Sequence, residues 1–245
     1  MSISLPPALN LGTLTRRAAR RIGLALLPQD CFLCGAFAGA SLLCAACSND
    51  LPKIAASACP LCALPTPSGE TCGACLAQPP FFDATRCCFR YAFPVDRLVQ
   101  ALKFQHRLVV ARFFAEALLE TAATLPFPTD LLLALPLSDE RLRQRGFNQA
   151  LEIARPLVRQ CGWLLPTAGY RRVIDTAPQS SLPWKERSKN IRGAFECDLD
   201  LSGKSVTVID DVMTTGASLN EFARILKQHG AARVTNLVAA RALRH

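Results

Sequence analysis

The stretch from Val206 to Leu219 combines two carboxylates with a loop suited to phosphate. Four apolar or β-branched residues precede the adjacent Asp210 and Asp211. The small residues that follow are Thr214, Thr215, Gly216, Ala217 and Ser218. Backbone N–H groups at a helix start, with hydroxyls beside them, suit a phosphate monoester. Because two carboxylates repel bare phosphate, they must face sugar hydroxyls or a magnesium ion, and ribose 5-phosphate satisfies both halves.

Other phosphate-binding motifs do not account for this stretch. The chain contains neither Gly-x-x-x-x-Gly-Lys-Ser/Thr nor Gly-x-Gly-x-x-Gly, which excludes a Walker loop and the dinucleotide fingerprint. An ordinary acidic pair at a strand end, followed by a helix cap, stays open as the alternative. The order of apolar strand, Asp-Asp, Thr-Thr-Gly-x-Ser and helix is much rarer than such a pair alone.

Eight of the twelve cysteines form a repeated ligand pattern. The spacing Cys-x2-Cys-x9-Cys-x2-Cys occurs twice, 28 positions apart, in Cys31, Cys34, Cys44 and Cys47 and in Cys59, Cys62, Cys72 and Cys75. Two such pairs supply a closed tetrahedral shell, which predicts two structural zinc sites. Disulfides, redox pairs and iron–sulfur binding are weaker alternatives, and the spacing leaves open whether ligands pair sequentially or cross between the repeats.

Alternating strand and helix patterns must position these residues. Strands are predicted at 86–93, 130–137, 204–209 and 233–239, and helices at 95–103, 109–124, 148–158 and 217–228. This alternation predicts an α/β fold with a mostly parallel sheet and helices on both faces. The predicted organisation is a basic lead-in at 1–29, a small cysteine-rich double zinc ribbon at 30–78 and the α/β domain at 84–245. Ligands of such sheets bind beyond the carboxyl ends of the strands, after Leu135 and Ile209.

Composition limits the class of protein. Half of the 245 residues are apolar and the formal net charge is +9, which two tetrathiolate zinc sites would lower to about +5. The remaining positive charge suits phosphate-rich ligands or nucleic acid. No apolar run approaches the roughly 20 residues that a membrane span needs. We expect a soluble, cytoplasmic protein without a transmembrane segment.

From about Arg86 to its end, the chain resembles the type I phosphoribosyltransferases. The stretch around Asp210 and Asp211 is similar to their phosphoribosyl pyrophosphate motif, which implies that these two residues are catalytic and that 214–218 bind substrate. The sequence Leu135-Pro136-Leu137-Ser138 resembles the pyrophosphate loop. The segment 176–195 resembles the mobile loop that closes over the diphosphate, with Gln179, Lys185, Arg187, Lys189 and Asn190.

Three features together resemble the ComF family, which includes ComFC and GntX proteins. They are RLRQRGFNQA at 141–150, TAPQSSLPWKERSKNIRGAF at 176–195, and the cysteine-rich module before them. The resemblance implies natural competence on the cytoplasmic side, with phosphoribosyl pyrophosphate, Mg²⁺, single-stranded DNA and competence helicase machinery as partners. It also implies an amidophosphoribosyltransferase activity, although this chain starts Met1-Ser2-Ile3 and leaves no room for a glutaminase domain, so we do not expect a self-contained glutamine amidotransferase.

Two functions stay open at this level. In the first, the protein is a magnesium-dependent phosphoribosyltransferase in which Arg141, Arg143, Arg145, Lys185 and Arg187 hold the highly charged diphosphate. Each of these cations could equally lie in a solvated basic loop. In the second, the protein is a non-catalytic accessory that binds single-stranded nucleic acid, with Phe147 or Trp184 stacking on bases.

Overall fold

The computed structural model describes residues 29–175 and 191–243, and the chain divides into two compact units after Asp50. In the first unit, β1 (Gln29–Asp30) and β2 (Phe37–Gly39) pair antiparallel, and α1 (Ala45–Asn49) follows. The second unit carries the large sheet. In the described part of the chain, no helix has the length and apolar character needed to cross a membrane.

Four parallel strands form the sheet of the second unit. They are β3 (Ala84–Arg90), β4 (Leu131–Ala134), β7 (Ser205–Met213) and β8 (Arg233–Arg241), in the spatial order β3-β8-β7-β4. All three neighbouring pairs are parallel, so the predicted parallel sheet is confirmed. Because parallel strands end at one edge, the loops after β4 and β7 lie side by side.

Helices connect these strands across both faces. The helices α2 (Gly73–Ala77), α3 (Val95–Phe104), α4 (Leu108–Ala122), α5 (Asp139–Arg145), α6 (Gln149–Cys161) and α7 (Ala217–Gln228) belong to this unit. The connection from β3 to β4 runs across the sheet in one direction and that from β7 to β8 in the other. Right-handed crossovers in opposite directions place their helices on opposite faces.

The ends of most predicted elements shift by a few residues, and two differences bear on the site. The strand expected at 204–209 continues to Met213, so Asp210 and Asp211 lie within β7 and not after its end. Pairing with β8 holds this extension, up to Met213 opposite Arg241. The sequence around Arg141, read as loop, forms α5, which Ser138 caps at its N-terminus and Gly146 ends in a left-handed conformation at φ 73°.

The hairpin of β5 (Tyr170–Arg172) and β6 (Phe195–Cys197) covers α7. The Phe222 ring of α7 lies 5.7 Å from the Tyr170 ring and 5.2 Å from the Phe195 ring. This apolar cluster also contains the buried Cys59, Cys62 and Cys75 of the second cysteine quartet. The second quartet is therefore part of the core of the sheet domain.

Candidate functional site

The acidic pair lies on β7 and has a cationic partner. The Lys103 ammonium, at the end of α3, lies 2.8 Å from Asp211 Oδ2, with side chains 20% and 8% exposed respectively. Asp211 Oδ2 has no hydrogen-bond donor among the described residues, and its contact with Lys103 is an ion pair. Asp210 Oδ1 accepts a hydrogen bond from the Asp211 backbone N–H at 2.9 Å. Among the described residues, no cation lies within ion-pair distance of Asp210.

The surroundings of the Asp210 carboxyl group disfavour its ionised form. Burial raises its pKa well above the usual value, the Asp211 charge raises it further, and the Lys103 charge opposes both. Two carboxylates facing one ammonium leave an excess of negative charge. Sugar hydroxyls or a divalent cation can relieve that excess, because carboxylate oxygens are the ligands that Mg²⁺ prefers. The chemistry of this donor set therefore fits the ligands expected from the sequence.

The loop after β7 leads directly into α7. Thr215 Oγ1 accepts from the Ala217 backbone N–H at 3.1 Å. Gly216 has φ +84°, and a Cβ at this position would lie 2.5 Å from Met213 Cε. Glycine thus permits both the turn and the close approach of the backbone. The first-turn N–H groups of a helix have no intrahelical acceptors, which suits them to an anionic ligand.

The loop after β4 lies beside β7. Leu135 N–H donates to Ile209 O at 3.0 Å, and Asn148 Nδ2 donates to Leu135 O at 3.0 Å. Pro136 is buried, Leu137 is half-buried, and Ser138 Oγ donates to Asp175 Oδ1 at 2.6 Å. The predicted pyrophosphate loop and the acidic pair therefore share one edge of the sheet.

The three arginines of α5 have different surroundings. Arg141 Nε lies 3.9 Å from Asp175 Oδ1, whereas Arg143 is 74% exposed and pairs with Glu140. Arg145 Nη1 donates to Gln149 Oε1 at 2.9 Å, and its guanidinium lies over the Phe104 ring at 5.7 Å. Only Arg141 of the three lies at the sheet edge beside the predicted pyrophosphate loop.

A further arginine near this edge was not predicted from the sequence. Arg172, the last residue of β5, is 6% exposed. Burial lowers its pKa to about 10, the Arg141 charge lowers it as well, and the charges of Asp175 and Asp210 oppose this. Two arginines and two carboxylates therefore interact at the carboxyl edge of the sheet. Lys185 and Arg187, predicted to close over the diphosphate, lie outside the described residues.

Both cysteine quartets have the geometry of a zinc shell. The four Sγ atoms of each quartet lie within 4.8 Å of one another, and all twelve cysteines are free thiols. Cys34 Sγ and Cys44 Sγ are 3.7 Å apart, and Cys62 Sγ and Cys72 Sγ are 3.6 Å apart. A zinc tetrahedron with bonds of about 2.3 Å has edges of about 3.8 Å. The ligands therefore pair sequentially within each repeat, and the expected zinc fits both sites.

Backbone N–H groups assist one thiol in each quartet. Burial opposes ionisation of Cys31, but N–H donors from Cys44, Cys34 and Leu33 lower its pKa to about 6. The same arrangement lowers the pKa of Cys59 to about 7. Zinc binds thiolates, so groups that stabilise the thiolate also favour the metal.

Two cavities adjoin the carboxyl edge of the sheet. One of about 380 Å³ lies between the second quartet and the loop after β7, and Cys62, Cys75, Thr215, Gly216 and Arg241 contribute to its walls. The other, of about 480 Å³, lies beside the loop after β4 and is lined in part by Pro136, Leu137, Phe147 and Tyr170.

This arrangement of sheet, acidic pair and cysteine quartets defines a zinc-ribbon protein with a phosphoribosyltransferase-type domain. The double zinc ribbon domain matches residues 24–76, and the phosphoribosyl transferase domain matches residues 166–244. The double zinc ribbon match spans the division of the chain after Asp50. One ribbon therefore lies in each unit.

The chain belongs to the ComF family. It is 33% identical over 217 residues to the DNA utilization protein YhgH of Salmonella typhi, covering 85% of this chain and 95% of that protein. It is 31% identical to competence protein F of Haemophilus influenzae, covering 66% and 74%. A solved allosteric regulatory enzyme of purine biosynthesis is similar over 52% of this chain and 25% of its own, at 18% identity and a TM-score of 0.33.

Proposed function

We propose that this protein binds phosphoribosyl pyrophosphate with Mg²⁺ and transfers the phosphoribosyl group during DNA uptake, on the cytoplasmic side of the membrane. The observation that carries the proposal is the acidic pair on β7, with Asp211 buried and Asp210 half-buried, followed within a few residues by the loop at the start of α7. The names of the relatives, competence protein F and DNA utilization protein, support the biological setting.

Each chemical group of phosphoribosyl pyrophosphate has a suitable binding residue at the carboxyl edge of the sheet. Asp210 and Asp211 accept hydrogen bonds from the ribose hydroxyls, and the loop 214–218 receives the 5′-phosphate. Arg141 and Arg172 face the diphosphate from the side of β4 and β5. Displacement at the anomeric carbon expels a highly charged diphosphate, so cations must hold it. Asp210 and Asp211 are the residues that would hold a Mg²⁺ ion, which would supply further positive charge for the diphosphate.

Lys103 has a defined role in this scheme. It neutralises Asp211 before the ligand binds, since the pair is mostly buried. Ribose hydroxyls or Mg²⁺ then compete with the ammonium for the carboxylate. Donor affinity also depends on pH, because Asp210, whose pKa is raised by burial and by the Asp211 charge, must be ionised to bind the donor. Affinity should fall as pH drops through that raised pKa, above the range of an ordinary aspartate.

Calorimetric titration with phosphoribosyl pyrophosphate and Mg²⁺ tests the proposal. Asp210→Asn should abolish donor binding and leave the fold and zinc content intact. Glu116→Gln is the charge-matched control, because Glu116 lies on α4 with its side chain 56% exposed. Donor affinity that survives in Asp210→Asn contradicts the site assignment. Diphosphate release with Mg²⁺ then separates turnover from binding.

A second function is favoured by a basic and aromatic surface beside this site. We define the Phe104 surface as Phe104, His106, Arg145 and Phe147. Phe104 is 67% exposed beneath the Arg145 guanidinium. The His106 ring meets the Phe147 ring edge-on at 5.6 Å, and His106 Nε2 lies 3.2 Å from Arg145 O. Exposed rings next to arginine suit stacked bases and phosphates, as in single-stranded nucleic acid binding.

The Phe104 surface makes a separate prediction for a labelled oligothymidylate. Fluorescence anisotropy should show binding that weakens steeply with salt. Arg145→Ala should reduce the salt slope by about 1 if this arginine contacts a phosphate, whereas Arg112→Ala, in an exposed pair on α4, should not. Equal effects of the two variants exclude the Phe104 surface as the binding site.

A further inference from the structure

Arg241, the last residue of β8, carries a charged group buried in the core of the second unit. Its side chain is 2% exposed and is among the largest fully buried ones. A buried guanidinium is costly unless its donors are satisfied. Four of its acceptors are main-chain carbonyl oxygens, and they belong to three different segments of the chain.

One of these segments is the second cysteine quartet. Arg241 Nε donates to Cys62 O at 2.8 Å. Cys62 ends the first Cys-x-x-Cys turn of its quartet, and its Sγ lies 3.6 Å from Cys72 Sγ. Zinc fixes the backbone of such a turn, since the metal supplies much of its folding free energy. The position of the Cys62 carbonyl therefore depends on zinc.

Another segment is the start of the loop after β7. Arg241 Nη1 donates to Met213 O at 2.9 Å and also to Thr214 O. It donates to Ala242 O at 2.8 Å as well. Met213 and Thr214 immediately precede Thr215 and Gly216. The guanidinium thus joins a carbonyl of the quartet to the carbonyls from which the phosphate loop begins.

A cavity lies between the second quartet and the loop after β7, beside the hydrogen bonds of Arg241. The cavity of about 380 Å³ has Cys62 and Cys75 on one side and Thr215 and Gly216 on the other, and Arg241 lines it too. A cavity of this size gives the loop room to move. Hydrogen bonds across it therefore contribute strongly to the loop's position.

We propose that Arg241 is a positioning residue that makes the conformation of the phosphate loop depend on zinc in the second quartet. Loss of that zinc releases the Cys62 carbonyl, weakens the hold of Arg241 on Met213 and Thr214, and loosens residues 214–218. The first quartet belongs to the other unit of the chain. Its zinc is therefore not expected to affect the loop in this way.

Matched cysteine variants of the full chain test the coupling. Cys72→Ser/Cys75→Ser removes two ligands of the second quartet, and Cys44→Ser/Cys47→Ser removes the equivalent pair of the first. Each variant should contain about one zinc ion fewer per chain than the wild-type protein, as measured by elemental mass spectrometry. Hydrogen exchange of peptides covering 210–219 should accelerate about tenfold or more in the second-quartet variant only, because weakening hydrogen bonds to a charged donor costs at least about 1.4 kcal/mol. Unchanged exchange in that variant, or equal acceleration in both, overturns the proposal.

Substitutions of Arg241 separate positioning from general damage to the fold. Arg241→Met should keep both zinc ions and still accelerate exchange in 210–219, while Arg241→Lys should restore part of the protection. Adding Cys72→Ser/Cys75→Ser to Arg241→Met should give little further acceleration, because both changes interrupt one link. If the acceleration of exchange in the combined variant is the full sum of the separate effects, Arg241 does not connect the second quartet to the loop. The comparison of single and combined variants is valid even if Arg241→Met is less stable.

The effect on ligand affinity rests on the proposed function. The affinity for phosphoribosyl pyrophosphate should fall about tenfold or more in the second-quartet variant and stay unchanged in the first-quartet variant. The exchange measurement needs no ligand, so the two failures can be distinguished. If the wild-type protein binds no donor, the proposed function fails while the coupling stands; if donor binds and exchange is insensitive to the second zinc, the coupling fails.

Discussion

Replacing Lys103 by methionine tests the electrostatics of the acidic pair most directly. The substitution keeps an apolar stem and removes the ammonium that lies 2.8 Å from Asp211 Oδ2. Exposed ion pairs contribute about 0–1 kcal/mol, and removal of one partner of a buried pair costs about 3–5 kcal/mol. Side chains 20% and 8% exposed lie between these limits, so we expect a loss of about 2 kcal/mol.

The loss should be visible as a shift in thermal unfolding at pH 8. For the second unit, which spans the 195 residues from Leu51 to His245, each kcal/mol lowers Tm by about 2–4 °C. The expected decrease is therefore about 4–8 °C, measured by calorimetry on the zinc-saturated chain. Lys204→Met is the matched control, because Lys204 is exposed and precedes β7 at the opposite end of the strand. Its effect should stay within about 0.5 kcal/mol.

The stability lost in Lys103→Met should depend on pH through the ionisation of Asp210. The folded-state pKa of Asp210 is raised above its unfolded value, so its ionisation destabilises the fold at pH values above the unfolded pKa. As the pH falls through the raised pKa, Asp210 takes up a proton and this cost disappears. Removing the Lys103 ammonium raises that pKa further, so the deficit of Lys103→Met should shrink as the pH falls from 8.

Asp210→Asn should have the opposite effect to Lys103→Met. It removes the repulsion between the two carboxylates and keeps the ion pair between Lys103 and Asp211, so it should raise Tm at pH 8. Combined with Lys103→Met, it should restore part of the lost stability. Our account is refuted if Lys103→Met matches Lys204→Met at every pH, or if Asp210→Asn lowers Tm at pH 8.

Three further changes address the other parts of the protein. A chromophoric chelator should withdraw about two zinc ions per chain. The first quartet should release its ion faster, because Cys34 is exposed whereas its counterpart Cys62 is buried; a single release phase contradicts this. Gly216→Ala should weaken donor binding without loss of zinc. A residue with a side chain at φ +84° is destabilised by about 1–2 kcal/mol, and Met213 Cε must move to make room for the Cβ atom. An unchanged affinity by calorimetry contradicts this prediction. Asn148→Ala should lower stability in urea unfolding by about 1–2 kcal/mol, because it removes the cap of α6 and the bond to Leu135 O; an unchanged midpoint contradicts it.

The sequence predicts the elements of this fold better than their ends. Helix α7 has the predicted bounds, and the four predicted strands form the parallel sheet. The predicted strand before Asp210 stops too early, because polar residues usually mark the end of a buried strand. In the structure, β7 continues its pairing with β8 through Asp210 to Met213. Helix α5 was missed, although Ser138 with acidic residues after it and Gly146 at its end are ordinary helix boundary signals.

Long-range contacts explain what the sequence could not predict at the site. Lys103 reads as the polar end of an amphipathic helix, and Arg241 as a charge at the end of an apolar strand. Nothing in either local pattern indicates that one contacts Asp211 or that the other contacts Cys62. Both contacts join residues more than a hundred positions apart, which is the information that periodicity and spacing do not contain.

The two quartets illustrate the same limit. Their spacing is identical, so the sequence assigns them one role, as closed structural zinc sites. Burial separates them, because the second quartet lies in the apolar core around Phe222 and its Cys62 carbonyl binds Arg241. Zinc at the second site therefore stabilises the domain that carries the acidic pair, whereas zinc at the first stabilises the small unit before Leu51. A duplicated motif has thus acquired two structural tasks, because the elements packed around each copy differ.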